Sequence, residues 1–178
     1  MIANITNYRN TGDWFYLVPA TLFVDLVVIL LAKYPGADPF FKVGALNEWY
    51  DKFGLAAVGS DVLSILIGIM FARYIYTCLG FKGVAWFIAI LVLFQLAHDI
   101  FFYVAVILGL PKGHNAMIDV FKRYGVENGF KILGADSLMM VSAVALGSLL
   151  KNMDSHLTVA TSFVSLYSLC YVIYTRNP

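Results

Sequence analysis

Four aspartates stand inside long apolar stretches of the chain: Asp25, Asp61, Asp99 and Asp136. A charged side chain at the centre of a lipid-embedded helix costs about 2.5–3.5 kcal/mol on insertion scales, so such groups face a bundle interior. There each must be protonated, cation-bound, hydrogen-bonded or wet. His98 adjoins Asp99, and Gln95 and Tyr103 lie four residues to either side of it, which places a polar stripe on one helix face. No Lys or Arg is expected at this depth. The chemistry that fits is the holding of a proton, or of a monovalent or divalent cation, by Asp25, Asp61, Asp99, Asp136 and His98. Gln95 and Tyr103 would support them. No residue reads as catalytic, no cofactor is called for, and whether a metal ion is held stays open.

The spacing of the acids repeats. Asp25 and Asp61 are 36 positions apart (61 − 25), and Asp99 and Asp136 are 37 apart (136 − 99). Gly59-Ser60-Asp61-Val62-Leu63 parallels Gly134-Ala135-Asp136-Ser137-Leu138. Upstream, Glu48-Trp49-Tyr50-Asp51-Lys52-Phe53-Gly54 parallels Asp119-Val120-Phe121-Lys122-Arg123-Tyr124-Gly125. Residues 14–76 and 84–150 thus read as two copies of one unit. Two spans per unit give the copies the same orientation, related by an axis along the membrane normal. All four acids then fall near one membrane face. A competing reading is purely structural: Asp61 and Asp136 would cap helix starts after turns at Gly59 and Gly134.

The elements that carry these residues are membrane spans. The chain is 61% hydrophobic and 13% charged, against roughly 45–50% and about 25% in soluble domains. A span takes about 20 apolar residues, and five stretches qualify: Trp14 to Ala32, Leu55 to Tyr76, Val84 to Leu110, Ile132 to Leu150 and Leu157 to Tyr174. The expected fold is all-α, one integral membrane domain over 1–178, with 157–174 as an extra span. Trp14, Tyr16, Tyr74, Tyr76 and Trp86 mark one interface, and Trp49, Tyr50 and Tyr124 the other. The two aromatic, charged connectors suit short interfacial helices covering the acids.

Small residues at Ser60, Ser64, Gly68 and Ala72, and at Ala143 and Gly147, suit close helix packing. Thr158, Thr161, Ser165 and Ser168 make a hydroxyl face in the last span. Five spans put the ends of the chain on opposite sides. Lys33, Lys42, Lys52, Lys112, Lys122, Arg123, Lys131 and Arg176 share one side, against Arg9, Arg73, Lys82 and Lys151 on the other. The basic side, with the C-terminal end, is expected to be cytoplasmic. Asn4-Ile5-Thr6 is a glycosylation sequon on the opposite side. The polar stretch from Met1 to Asp13 lacks the apolar core of a cleaved signal peptide.

Several chemistries are set aside. A net charge of +1 gives no basic face for nucleic acid. Cys78 and Cys170 form no CxxC or Cys/His cluster, His114 and His156 are isolated, and zinc ligands in helical register are missing. Phosphate-loop, serine-hydrolase and Gly-x-Gly-Asp protease motifs are missing too.

Thr21-Leu22-Phe23-Val24-Asp25-Leu26, with Trp49-Tyr50 downstream, resembles the opening of sigma-2-receptor and sterol-isomerase-like membrane proteins. That family lacks the duplication and the fifth span, so no binding residue is carried over. Tyr124-Gly125-Val126-Glu127-Asn128-Gly129 and Ala135-Asp136-Ser137-Leu138-Met139-Met140 resemble uncharacterised multi-pass membrane proteins of large DNA viruses. This second resemblance implies a viral membrane context and no established activity. The leading expectation is a cation- or proton-interacting channel or transporter-like protein. A structural membrane protein, for example one organising a viral membrane, and a lipid- or sterol-modifying enzyme remain alternatives. The lipid bilayer is the implied partner, and self-association into a homo-oligomer stays open.

Overall fold

The computed structural model describes residues 5–34 and 41–175; Asn4 of the sequon and Arg176 lie outside them. The described residues are helical, with no strand. A strap, residues 5–13, ends in a 3-10 turn (Thr11–Asp13) and leads into α1 (Trp14–Lys33). The connector helix α2 (Gly44–Phe53) precedes α3 (Leu55–Leu79) and α4 (Val84–Phe101). A second connector helix, α5 (Ala116–Asn128), precedes α6 (Lys131–Lys151) and α7 (Ser155–Val172).

Four helical segments among the described residues are long and apolar enough to cross a membrane: Thr11–Lys33, Leu55–Leu79, Val84–Ile107 and Lys131–Lys151. Their outer faces are apolar, with Leu93 66% and Phe101 68% exposed, as suits contact with lipid. The expected fifth span is helical as α7, 18 residues long. Its hydroxyl-rich sequence keeps it below the apolarity of the other four.

Five long helices make the bundle. α1 packs against α6 and α7, and α4 against α3 and α6, while α2 and α5 pack on each other across one end. Small residues permit the closest approaches. At Gly147 a Cβ would lie 3.0 Å from Leu17 Cδ2 and 3.5 Å from Leu17 Cα. At Gly68 the missing side chain leaves the notch that the Met140 methyl fills. α7 runs the full depth of α1. Lys151, just before α7, reaches Asp13 at the strap end (2.6 Å), and beyond the far end of α7 the Thr175 hydroxyl meets that of Tyr34 (3.2 Å).

The connectors end alike. Gly54 (φ 52, ψ −127) and Gly129 (φ 53, ψ −131) terminate α2 and α5 in a conformation open essentially only to glycine. The turns therefore fall at Gly54 and Gly129, while Gly59 and Gly134 lie inside helices. Matching the helix ends pairs Gly54 with Gly129 rather than Gly125, one helical turn later than the local sequence match.

The third apolar stretch holds a departure that its sequence hides. Directly after α4 the chain widens into a π-helical segment, Phe102–Ile107, closed by a five-residue-back bond from Leu108 N to Tyr103 O (2.9 Å). Segments of this kind recur beside functional sites.

Candidate functional site

Between the connector layer and the middle of the bundle lies a cavity of about 950 Å³. Asp61 from α3, Asp99 from α4 and Asp136 from α6 all line it, together with Gln95, His98 and Tyr103. Connector aromatics Trp49, Tyr50, Phe121 and Tyr124 close one wall. Apolar residues make up most of the remainder, including Ile65, Ile100, Val104, Leu138 and Met139. Among the described residues neither Lys nor Arg lines it. At the rim Ile100, Val104 and Leu138 are exposed, so the cavity meets the apolar flank of the bundle.

The acids fall into two hydrogen-bonded groups and one solitary side chain. Asp61 accepts from Trp49 Nε1 (3.1 Å to Oδ2) and from Tyr50 Oη (2.8 Å). The same Tyr50 hydroxyl lies 3.4 Å from Asp25 Oδ1. One hydroxyl has one proton, so Tyr50 donates to one carboxylate at a time, and the shorter contact favours Asp61. Asp25 is wholly buried behind Tyr50, outside the cavity lining, and its Oδ2 has no partner among the described residues. On the other side Asp99 Oδ1 accepts from Gln95 Nε2 (2.7 Å) and meets His98 Nδ1 (3.1 Å). Its Oδ2 is buried without a partner among the described residues. Asp136 lines the cavity and makes no hydrogen bond that the described residues supply.

The helix-capping role considered for Asp61 does not occur. Its carboxylate is bonded to connector side chains six residues or more inside α3, and no side chain caps the start of that helix. Trp49 and Tyr50 also depart from their expected place at the membrane interface. Each is only 2% exposed, turned inward to hold Asp61. On α5, Tyr124 also lines the cavity, close enough to Asp136, Asp61 and Asp99 to feel their charges. Gly125 makes room beside it, since a Cβ there would lie 2.9 Å from the Tyr103 ring.

The two connector tyrosines register the local field. Burial raises the Tyr50 hydroxyl well above its ordinary value, and the Asp61 and Asp25 charges push it further. Tyr124 is raised for the same first reason, then by Asp136, Asp61 and Asp99. Both therefore remain neutral hydrogen-bond donors over the physiological range.

Comparison with protein families, curated proteins and solved structures finds no match.

Among the described residues no three His, Cys, Asp or Glu side chains cluster closely enough to cage a metal ion. What the arrangement offers instead is a roomy, mostly apolar chamber with carboxyl groups and aromatic faces toward its connector wall. Trp49, Tyr50 and Tyr124 are its unforeseen members. The aromatic connectors gave the available signal, since aromatics beside an acid-bearing span can point inward as readily as toward headgroups.

Proposed function

We propose that this chain is a five-span, transporter-like membrane protein that takes a cation, or a proton, into the carboxylate-lined cavity. One observation carries the reading: three aspartates from three different helices open onto one chamber whose lining, among the described residues, holds no Lys or Arg. A volume of about 950 Å³ is at the upper end of small-molecule sites, about 300–1,000 Å³. Its apolar walls and aromatic rings suit an organic cation with an apolar body better than a hydrated metal ion. The structural alternative draws on Asp25, Tyr50 and Asp61, which also tie α2 to α1 and α3.

The internal duplication supports a shared centre. The matched endings at Gly54 and Gly129 place Asp61 and Asp136 seven residues beyond each turn. The contacts of α1 with α6 are mirrored by those of α4 with α3. The depth of α7 supports five spans, with the basic connector side cytoplasmic. Cys78, close to the strap end of α3, and Cys170, toward the connector end of α7, are both exposed. In oriented vesicles a membrane-impermeant thiol reagent should label them from opposite sides. Labelling of both from one side would remove the fifth span.

For function, the purified protein is reconstituted and its binding of tetraphenylphosphonium, a lipophilic cation, is measured beside proton flux. Binding by the parent and about tenfold weakening by Asp99→Asn, which keeps size while removing charge, are expected; about 1.4 kcal/mol corresponds to that factor. A parent that neither binds nor conducts, with Asn variants of all four acids behaving alike, would leave the structural reading in its place.

A further inference from the structure

At the end of the bundle opposite the connectors, residues 5–13 fold across the mouth between α1, α3 and α6. Of these nine residues only Ile5 and Asp13 are buried; most of the others are exposed. Ile5 inserts into an apolar layer that includes Leu17, Ile69, Phe87, Leu91 and Met140. That layer separates the strap from the cavity, whose lining stops at Ile65, Gln95 and Met139.

Asp13 is the second anchor. Its carboxylate takes Arg73 on one oxygen (2.6 Å) and Lys151 on the other (2.6 Å), joining the strap to α3 and α6. Arg73 Nη2 also donates to the strap carbonyls of Asn7 (2.6 Å) and Asn10 (2.9 Å), and its guanidinium lies over the Trp14 ring. One nitrogen therefore makes all the hydrogen bonds recorded for Arg73. Nε and Nη1 are buried without a partner among the described residues. A fully buried arginine bonded through one nitrogen of three is an expensive way to fix a segment that buries so little apolar surface. A merely structural clasp would be served better by apolar contacts.

Resting on the reading of the cavity as a cation site, we propose that the strap is the gate of that site on the face opposite the connectors. The Asp13–Arg73–Lys151 cluster is its latch. In the observed state the latch is shut, and the chamber meets the apolar flank of the bundle at Ile100, Val104 and Leu138 rather than the strap face. Release of Asp13 would swing residues 5–13 away, leaving Met140 in the Gly68 notch as the last barrier before Gln95. Met140 is unbranched and flexible, suited to a side-chain valve. Gln95, already bonded to Asp99, is the first polar group behind it. A transported cation needs such a second opening, whereas a binding protein with one entrance needs none.

The test uses the full chain in vesicles, with Cys78 and Cys170 replaced by serine and one reporter cysteine at Leu91. Leu91 is fully buried in the layer beneath the strap. Two variants release the gate. Asp13→Asn with Arg73→Met removes both buried charges together, and Ile5→Ser removes the apolar anchor alone. At least tenfold faster labelling of the Leu91 reporter by an impermeant thiol reagent applied from the strap side is expected for both. A second reporter at Ile29, buried in the separate core cluster near the connectors, should stay protected. Unchanged labelling at Leu91 overturns the gate, and so does equal acceleration at Ile29, which would mean general loosening. The readout requires no ligand, so loss of tetraphenylphosphonium binding would defeat the cation reading while leaving the gate result to stand by itself.

Discussion

Replacing Asp13 with alanine should lower stability by about 3–5 kcal/mol, the range for breaking a buried ion pair from one side. Both partners of Asp13–Arg73 are fully buried. Truncation leaves the buried guanidinium its bonds to the Asn7 and Asn10 carbonyls but no counter-charge there, and Lys151 loses its bond to the other Asp13 oxygen. Removing both charges, as Asp13→Asn with Arg73→Met, should bring the protein back to within about 1–2 kcal/mol of the parent, because the desolvation cost disappears with the pair. Reversible unfolding in mixed micelles of rising denaturing detergent, with Asp13→Asn and Arg73→Met also measured singly to close a double-mutant cycle, measures the difference. If the single and double variants lose equal stability, the pair is not electrostatically buried and the latch loses its basis.

The same cluster shows where sequence was informative and where it was silent. Four of the five expected spans follow from run length alone, because a lipid solvent demands that backbone groups be paired inside each helix. The acids could be placed near one face by counting residues from span ends. Arg73, however, read as a flanking charge on the strap side, whereas it lies inside α3, wholly buried. Its partner lies 60 positions away, beyond the reach of helical periodicity. Lys33 is similar: it closes α1 as a basic flank and is buried while paired with Asp51 of α2.

The alignment of the connectors by sequence and the one by helix ends differ by one turn for a physical reason. Aromatic and charged residues recur every three or four positions on an amphipathic helix, so a shift of four preserves the pattern. Only the backbone conformation at Gly54 and Gly129 distinguishes the two alignments. The π segment left no mark because Phe102 to Ile107 contains no Pro or Gly, and the extra backbone residue per turn arises from packing. Trp49 and Tyr50 could be assigned inward only once Asp61 was known to lie within reach. The chemical types at the site were thus legible. Which aromatics they bond to was decided by tertiary contact.

A pH titration should report on this bonding through Tyr50. Its hydroxyl is raised above the ordinary tyrosine value of 10.0, first by burial and then by Asp61 and Asp25. An acid raised in the folded state contributes stability that is fully present below its unfolded value and lost as pH climbs toward the folded one. Above pH 10 the unfolded chain releases this proton and the folded chain keeps it. Stability should therefore fall by about 1.4 kcal/mol per pH unit on account of Tyr50. Tyr50→Phe lacks the hydroxyl, so at pH 8 it should be less stable than the parent by about 1–3 kcal/mol, with Asp61 deprived of a buried donor. It also lacks the alkaline penalty, so its stability should decline more slowly. The two curves should converge as pH rises above 10, the parent losing stability the faster. Parallel curves across that range would mean that Tyr50 ionises in the folded protein as readily as in the unfolded one. The hydroxyl would then be wet, and the closed wall of the cavity would have to be abandoned.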